Sequence, residues 1–260
     1  MRQFSNAILF TLLAGSLLLT ACEKDEPQGL GEEKDKAKVI FVNAAPNAAT
    51  TPALAQREIA IWPFYNGVQF NNFPIKFPWS NGYKAFVPGN LVMRFDTARS
   101  QANDPSGPAA NVAQITIPTT ADTYYSVYAV GTAQKVETVV LTDNLSLPSA
   151  GKAKIRIMNY SPDAGPIDVV VVGAGGAVLA TNLGFKGVKD FFEIDPGIFS
   201  LEIREAGTTN VLSSRSVIID PASCYSIWAR GFKTMPSPGN TNALSRIGLS
   251  YHANRWTIPF

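Results

Sequence analysis

The fold is decided by residues 153–159, Ala-Lys-Ile-Arg-Ile-Met-Asn, in which charged and apolar side chains alternate. Alternation places one face of a β-strand in a core and leaves the other face in water, so the pattern predicts a half-buried strand. Residues 161–166, Ser-Pro-Asp-Ala-Gly-Pro, follow directly. Two prolines, a glycine and an aspartate interrupt ladder pairing and favour turns, so we expect the chain to reverse there.

The residues that follow continue this alternation of short strands and turns. Residues 167–172 form a nearly unbroken β-branched run, which predicts a strand covered on both faces. Later strands are predicted at 178–183, 199–204, 217–219 and 225–229, with Phe199, Leu201 and Ile203 pointing inward. Because no helical period appears, the pattern predicts an all-β chain of antiparallel β-sandwich, immunoglobulin-like architecture.

These strand and turn signatures resemble those of a known family. The strand at 153–157, the turn at 161–164, the strand start Ile167-Asp168-Val169 and the Pro196-Gly197 turn are similar to the domain of unknown function 4397 family, over roughly residues 152–250. The resemblance implies secreted or lipid-anchored bacterial β-sandwich modules, often in tandem, with no assigned activity. It bears on the fold more than on function.

The same pattern occurs earlier in the chain. Residues 37–48 align without a gap to residues 153–164 at a shift of 116. Pro88-Gly89 aligns with Pro196-Gly197 at a shift of 108, and residues 125–131 align with 225–231 at a shift of 100. We therefore predict two tandem β-sandwich domains, a divergent first copy at 37–145 and a second copy at 152–260. The linker at 144–151 is short, so we expect the two domains to touch.

The first 21 residues have the features of a lipoprotein signal peptide. Arg2 precedes an apolar run at 7–19 that is too short to span a bilayer, and Leu19-Thr20-Ala21-Cys22 resembles a bacterial lipobox. That resemblance implies a lipidated Cys22 as the membrane anchor. The alternative is an ordinary secretory signal that ends beside an incidental cysteine.

The anchor is followed by a charged tether at 22–36, which contains too few apolar residues to bury a core and is predicted to be disordered. Lys24-Asp25-Glu26 is similar to the acidic export signal of surface lipoproteins in Bacteroidetes. We therefore expect an outer-membrane protein that is lipid-anchored and exposed at the cell surface. If the charged run is only a solubilising linker, a periplasm-facing anchor is the alternative.

Composition argues against several function classes. Removing Arg2 with the signal peptide leaves 21 basic residues against 20 acidic ones, a net charge near +1, so no basic stripe is expected for nucleic acid. His252 is the only histidine and is expected to be structural, and Cys224 is expected to be a small buried side chain. Asp163 and Asp168 suit turn capping better than a calcium site. No cofactor or metal is predicted.

The candidate ligand-binding residues are aromatic: Trp62, Phe64, Tyr65, Trp79 and Tyr83. Rings beside prolines and turn residues suit stacking on a sugar or insertion into a protein partner. Alternatively, these rings cover the ends of the sandwich or fill the seam between the domains. Tyr128 and Trp228 occupy matching strand positions and are expected to be packing residues.

These observations leave three functional hypotheses. The first is a non-enzymatic binding, adhesion or structural module of the cell envelope. The second is a glycan-capture accessory lipoprotein of an outer-membrane uptake system. The third is a hydrolase, because a pair of carboxylates on separate loops could act without any signature in the sequence.

Overall fold

The computed structural model describes residues 33–49, 60–97, 111–173, 176–236 and 242–256. The predicted signal peptide, Cys22 and most of the tether lie outside these ranges. The described chain consists of strands and a single 3-10 turn at Ala243–Ser245, so the all-β prediction is confirmed. Among the described helices, none has the length and apolar character needed to cross a membrane. The strands are β1 Ala37–Asn43, β2 Ala60–Tyr65, β3 Val68–Gln69, β4 Ile75–Lys76, β5 Lys84–Phe86, β6 Gly89–Thr97, β7 Asn111–Thr119, β8 Tyr124–Thr132, β9 Lys135–Asp143, β10 Ala153–Asn159, β11 Ile167–Val171, β12 Val178–Leu183, β13 Val188–Ile194, β14 Gly197–Glu205, β15 Val211–Ile219, β16 Cys224–Arg230 and β17 Gly248–Arg255.

The strands form four sheets, two in each half of the chain. In the first half, sheet A has the order β5-β1-β8-β9 and sheet B the order β3-β2-β6-β7, with β4 also paired to β2. In the second half, sheet C has the order β13-β10-β16-β17 and sheet D the order β12-β11-β14-β15. Strands whose sequences align between the two halves, at residue-number shifts of 116, 108 and 100, therefore occupy equivalent positions in the strand order of their sheets. The domain limits at 37–145 and 152–260 remain a prediction.

Two pairings depart from the expected antiparallel sheets. β1 runs parallel to β8, and β10 runs parallel to β16 in the equivalent register. After β1 the chain crosses to sheet B, returns to sheet A for β5 and crosses again for β6 and β7, and it then enters β8 beside β1 in the same direction. The hydroxyls of Tyr125 and Tyr225 each accept a hydrogen bond from a backbone N–H five residues upstream. This arrangement is typical of the tyrosine corner of immunoglobulin-like sandwiches.

Each half has its own apolar core between its two sheets. In the first half, Phe41 stacks on Phe95 with ring centroids 5.0 Å apart. In the second half, Leu201 and Ile203 are buried and Phe199 packs against them, so their predicted inward direction is confirmed. Period-two alternation produces these cores because every second side chain of a strand faces the same side.

A third apolar cluster joins the halves, because sheet A packs face to face on sheet C. Val42, Tyr128 and Val130 from the first half meet Met158 and Trp228 from the second half. The layers are therefore stacked in the order B, A, C, D. The halves are in contact, as expected from the short linker. We call this layer between sheets A and C the seam.

The structure corrects two burial predictions. β10 was expected to have one wet face, but Arg156 on that face is fully buried because sheet A covers it. β11 was expected to be covered on both faces, yet its run ends at Val172, which is exposed, and Asp168 is only half-buried. Alternation of side-chain type identified the faces of these strands correctly, and the stacking of the sheets decided which faces meet water.

Candidate functional site

Tyr65 does not belong to a binding surface, which corrects its prediction as a ligand contact. It lies on the core side of β2 together with Ile61, is buried and stacks on Phe86 with ring centroids 4.8 Å apart. Its hydroxyl accepts a hydrogen bond from Asn81 Nδ2 at 2.8 Å, and burial raises the pKa of the phenol. Tyr65 is therefore a core residue.

The Tyr83 hydroxyl is also directed into the interior. Its hydroxyl donates to Asp143 Oδ2 at 2.6 Å and accepts from Asn254 Nδ2 at 2.9 Å, which ties the first half to the second. Burial, and then the nearby charge of Asp143, raise the pKa of Tyr83. The ring packs edge-on against Tyr124. Tyr83 therefore fills the seam, which was the alternative that the sequence left open.

Trp62 and Phe64 point away from the core, onto the outer face of sheet B, and both are half-buried. Arg94 on the neighbouring strand covers the Phe64 ring, with its guanidinium carbon 4.3 Å from the ring centroid. Asp96 holds Arg94 in place through two hydrogen bonds of 3.0 and 2.9 Å. Trp62 lies opposite Asp96 in the strand register. This face presents an indole beside a fixed Arg–Asp pair.

Trp79 is the predicted residue that the structure places at the surface, with 64% of its area exposed. Phe73 at 78%, Phe70 at 49% and Val68 lie on the same connection between β2 and β5 and are exposed as well. We call Val68, Phe70, Phe73 and Trp79 the aromatic edge. The prediction missed Phe70 and Phe73, although their neighbours Asn71, Asn72 and Pro74 are turn residues that would have indicated a loop.

The backbone beneath the aromatic edge is tied to β1. Asn81 Oδ1 accepts from the Phe41 N–H at 2.7 Å, and the same side chain binds the Tyr65 hydroxyl. Asn43 N–H donates to the Trp79 carbonyl at 2.9 Å, and Asn43 Nδ2 donates to the Ile75 carbonyl at 2.9 Å. Because both ends of the connection are anchored, the exposed rings are held ready for contact, which lowers the entropy lost on binding.

The second half has no equivalent of this edge in its described residues. There the connection between β12 and β13 is the tight turn 184–187, closed by the Gly187 N–H donating to the Gly184 carbonyl at 2.7 Å. A side chain at Gly187 would meet that carbonyl oxygen at 2.7 Å. Phe185, in this turn, packs against the seam cluster. The equivalent connection of the second half therefore carries no exposed ring among its described residues.

The residues considered for metal or acid–base chemistry have other partners. The two oxygens of Asp163 accept from the N–H groups of Lys233 and Thr234, at 2.7 and 2.8 Å. Those of Asp168 accept from the N–H groups of Asn182 and Gly207, at 2.8 and 2.9 Å. These contacts are the capping role expected from the sequence. The described ranges contain no group of three His, Cys, Asp or Glu side chains placed to hold a metal ion.

The reactive atoms of the two remaining candidates for catalysis are buried. Cys224 is fully buried at the start of β16, and burial raises the pKa of its thiol, so the thiolate is disfavoured. His252 lies in the seam beside the rings of Tyr128 and Trp228, and both of its ring nitrogens are buried.

Comparison with known families finds a match over part of the chain. Residues 64–170 match the model of a family described as a domain of unknown function, DUF4397. The resemblance was expected at roughly 152–250, but the matched segment runs from β2 to its counterpart β11 and so spans one repeat with different end points. The matched segment, residues 64–170, contains the aromatic edge, Arg94 and Asp96.

Solved structures offer only distant similarity. The Bacillus anthracis TIE protein is 10% identical with a TM-score of 0.24, covering 77% of this chain and 34% of that protein, so the chain spans about a third of its length. A streptococcal virulence factor described for alpha-glucan binding is 7% identical with a TM-score of 0.22, covering 81% and 95% of the two chains. A candidate cell adhesion protein from Bacteroides eggerthii DSM 20697 is 10% identical with a TM-score of 0.23, covering 86% and 96%. Similarities this low carry no argument about the function of this chain. No curated protein sequence matches the chain.

Proposed function

We propose that this protein is a non-enzymatic binding module of the bacterial cell envelope that contacts its partner through the aromatic edge. The observation that carries the proposal is the exposure of Phe73 and Trp79 on a connection anchored to β1, without a counterpart in the second half. Large exposed rings on a fixed backbone are the groups that dominate binding energies at interfaces. The buried thiol of Cys224 and the buried ring nitrogens of His252 support a binding role over a catalytic one.

The glycan-capture role is the second candidate, and Trp79 and Trp62 favour it. Trp79 presents an exposed indole two residues from the amide of Asn81, and Trp62 lies beside the Arg94–Asp96 pair. A flat apolar ring next to hydrogen-bonding groups suits a sugar, which has one apolar face and hydroxyls around its rim. The hydrolase hypothesis receives no such support: Asp96 and Asp143 are each paired with an arginine.

The test uses the Trp79→Ala and Phe73→Ala variants, singly and together, on an array that carries both polysaccharides and structural proteins. The matched control is Ile198→Ala, which removes a side chain that is 76% exposed in the second half. We expect each ring variant to lose about ten-fold in affinity, or about 1.4 kcal/mol, while the control binds like the parent. Glycan spots would favour glycan capture, and protein spots would favour adhesion. Equal affinity of all variants for every bound ligand would refute the aromatic edge as the contact surface.

We also propose that a lipid on Cys22 holds the protein on the outer membrane with the folded part at the cell surface. The lipobox-like sequence before Cys22 and the acidic run after it support this location. Cys22→Ala is expected to abolish labelling by radioactive palmitate and to release the protein from the membrane fraction. Protease added to intact cells should degrade the parent protein; complete protection until the outer membrane is opened would indicate the periplasm-facing anchor.

A further inference from the structure

His252 occupies an unusual place in the seam. Its imidazole packs against two rings, with centroid distances of 6.3 Å to Tyr128 in the first half and 5.4 Å to Trp228 in the second half, and these two rings are 6.0 Å from each other. The residue as a whole is half-buried, yet both ring nitrogens are buried and have no hydrogen-bond partner among the described residues. A buried imidazole without partners is tolerated only while it is neutral, because a charge would lose its hydration without compensation.

Packing alone does not require a histidine at this position. His252 lies opposite Ser226 in sheet C, and the equivalent residue of the first half is Leu141, opposite Ser126 in sheet A. Leu141 packs against the same seam cluster. The second half therefore carries a titratable ring where its sister strand carries a leucine.

The charged groups of the seam cannot neutralise a protonated His252. The carboxylate of Asp143 lies against Arg156, with Oδ1 2.7 Å from Nη1, and its Oδ2 accepts from Ser126 and Tyr83. The titratable and charged groups buried in the seam are Tyr83 before β5, Tyr128 on β8, Asp143 on β9, Arg156 on β10 and Tyr160 after β10. At the edge of the seam, Glu137 on β9 forms an ion pair with Lys186 of the 184–187 turn. The carboxylates of Asp143 and Glu137 are thus each already paired with a cation.

We propose that the seam is an acid-sensitive joint, in which protonation of His252 separates sheet A from sheet C and exposes the apolar surface between them. Separation of the layers would hydrate the imidazolium, which in the closed seam packs against two rings and is repelled by the charge of Arg156. Separation would uncover Val42, Val130 and Met158, an apolar face that is hidden at neutral pH. Acidification would thus expose the apolar faces of sheets A and C, which could then bind other apolar surfaces.

The direction of the pH dependence follows from the imidazole. Burial, and then the charge of Arg156, lower the pKa of His252 from 6.5 to about 3 in the closed seam. A group whose pKa is depressed stabilises the closed form fully above its ordinary pKa, and this stabilisation is lost as the pH falls from about 6.5 towards 3. Between pH 7 and pH 5 the closed-to-open ratio should fall about 25-fold.

Labelling of an introduced thiol tests the joint in the full chain. Val130→Cys places a thiol in the seam, and Val127→Cys places one in the core between sheets A and B. Labelling by N-ethylmaleimide is followed by mass spectrometry of the two peptides and normalised at each pH to the unfolded chain. We expect the labelling rate of the seam thiol, relative to that of the unfolded chain at the same pH, to be about 25-fold higher at pH 5 than at pH 7, and that of the core thiol to show no such rise.

His252→Leu, which copies the sister strand, should abolish the acid response while leaving the circular dichroism spectrum and the labelling at pH 7 unchanged. His252→Gln serves as a second neutral variant in case leucine disturbs the packing. Persistence of the acid response in both variants would overturn the role of His252. An equal rise at the seam and core thiols would show global unfolding instead of a joint, and no rise in the parent would also overturn the proposal.

Discussion

The ion pair between Asp143 and Arg156 provides the sharpest test of the four-layer fold. Both side chains have 0% of their area exposed, one comes from each half, and Asp143 Oδ1 lies 2.7 Å from Arg156 Nη1 without hydrogen-bond alignment. Arg156 Nη2 donates to Ser226 at 2.9 Å and to Ser126 at 3.3 Å. Two buried charges of opposite sign are tolerated only together, so removal of either one leaves the other without compensation.

We expect Asp143→Ala to lower the free energy of unfolding by about 3–5 kcal/mol, because it leaves the Arg156 guanidinium buried and unpaired. Arg156→Met should cost a similar amount. The double variant should cost less than the sum of the two, with a coupling energy of about 2–3 kcal/mol. The matched control is Asp195→Ala, which breaks the exposed Lys152–Asp195 pair and should cost about 0–1 kcal/mol.

The assay is urea unfolding followed by tryptophan fluorescence. The parent should unfold in one transition, because the seam couples the two halves. A cost below about 1 kcal/mol for Asp143→Ala, or a double variant whose cost is the sum of the single ones, would refute the buried pair. Two separate transitions in the parent would refute the coupling of the halves through the seam.

Other predictions concern the backbone. Asn81→Ala removes the acceptor of a β1 amide and a partner of a buried hydroxyl, so a loss of about 1–3 kcal/mol is expected in thermal unfolding, and the same variant should weaken ligand binding by loosening the aromatic edge. Gly231→Ala combines a positive φ of 73° with a Cβ only 2.3 Å from the Arg246 carbonyl oxygen, so we expect a loss of more than about 2 kcal/mol. Gly67→Ala, with a positive φ of 79° but open space, should cost only about 1 kcal/mol; equal costs at the two glycines would contradict the steric argument.

In the candidate site, the sequence predicts which side chains of β2 share a face but not which face is buried. The stretch Trp62-Pro63-Phe64-Tyr65 is rich in rings, and alternation assigns its members to two faces without telling which face is the core. Tyr65 turned out to lie inside because Phe86, which is distant in sequence, packs on it. Trp79 could be placed on a loop from its proline and glycine neighbours, but its exposure depends on where Asn43 and Asn81 hold that loop.

The sequence by itself determined the all-β class, the repeated order of strands and turns, and the side chains that share a face of each strand. These features are local, because they follow from the two-residue period of a strand and from the backbone preferences of proline and glycine. Only the tertiary structure decided that sheet A meets sheet C. That contact buries Arg156 with Asp143, removes Tyr83 from the candidate binding surface and packs His252 against two rings. The local sequence determines which side chains share a strand face, whereas packing between residues far apart in the chain determines which layer covers that face.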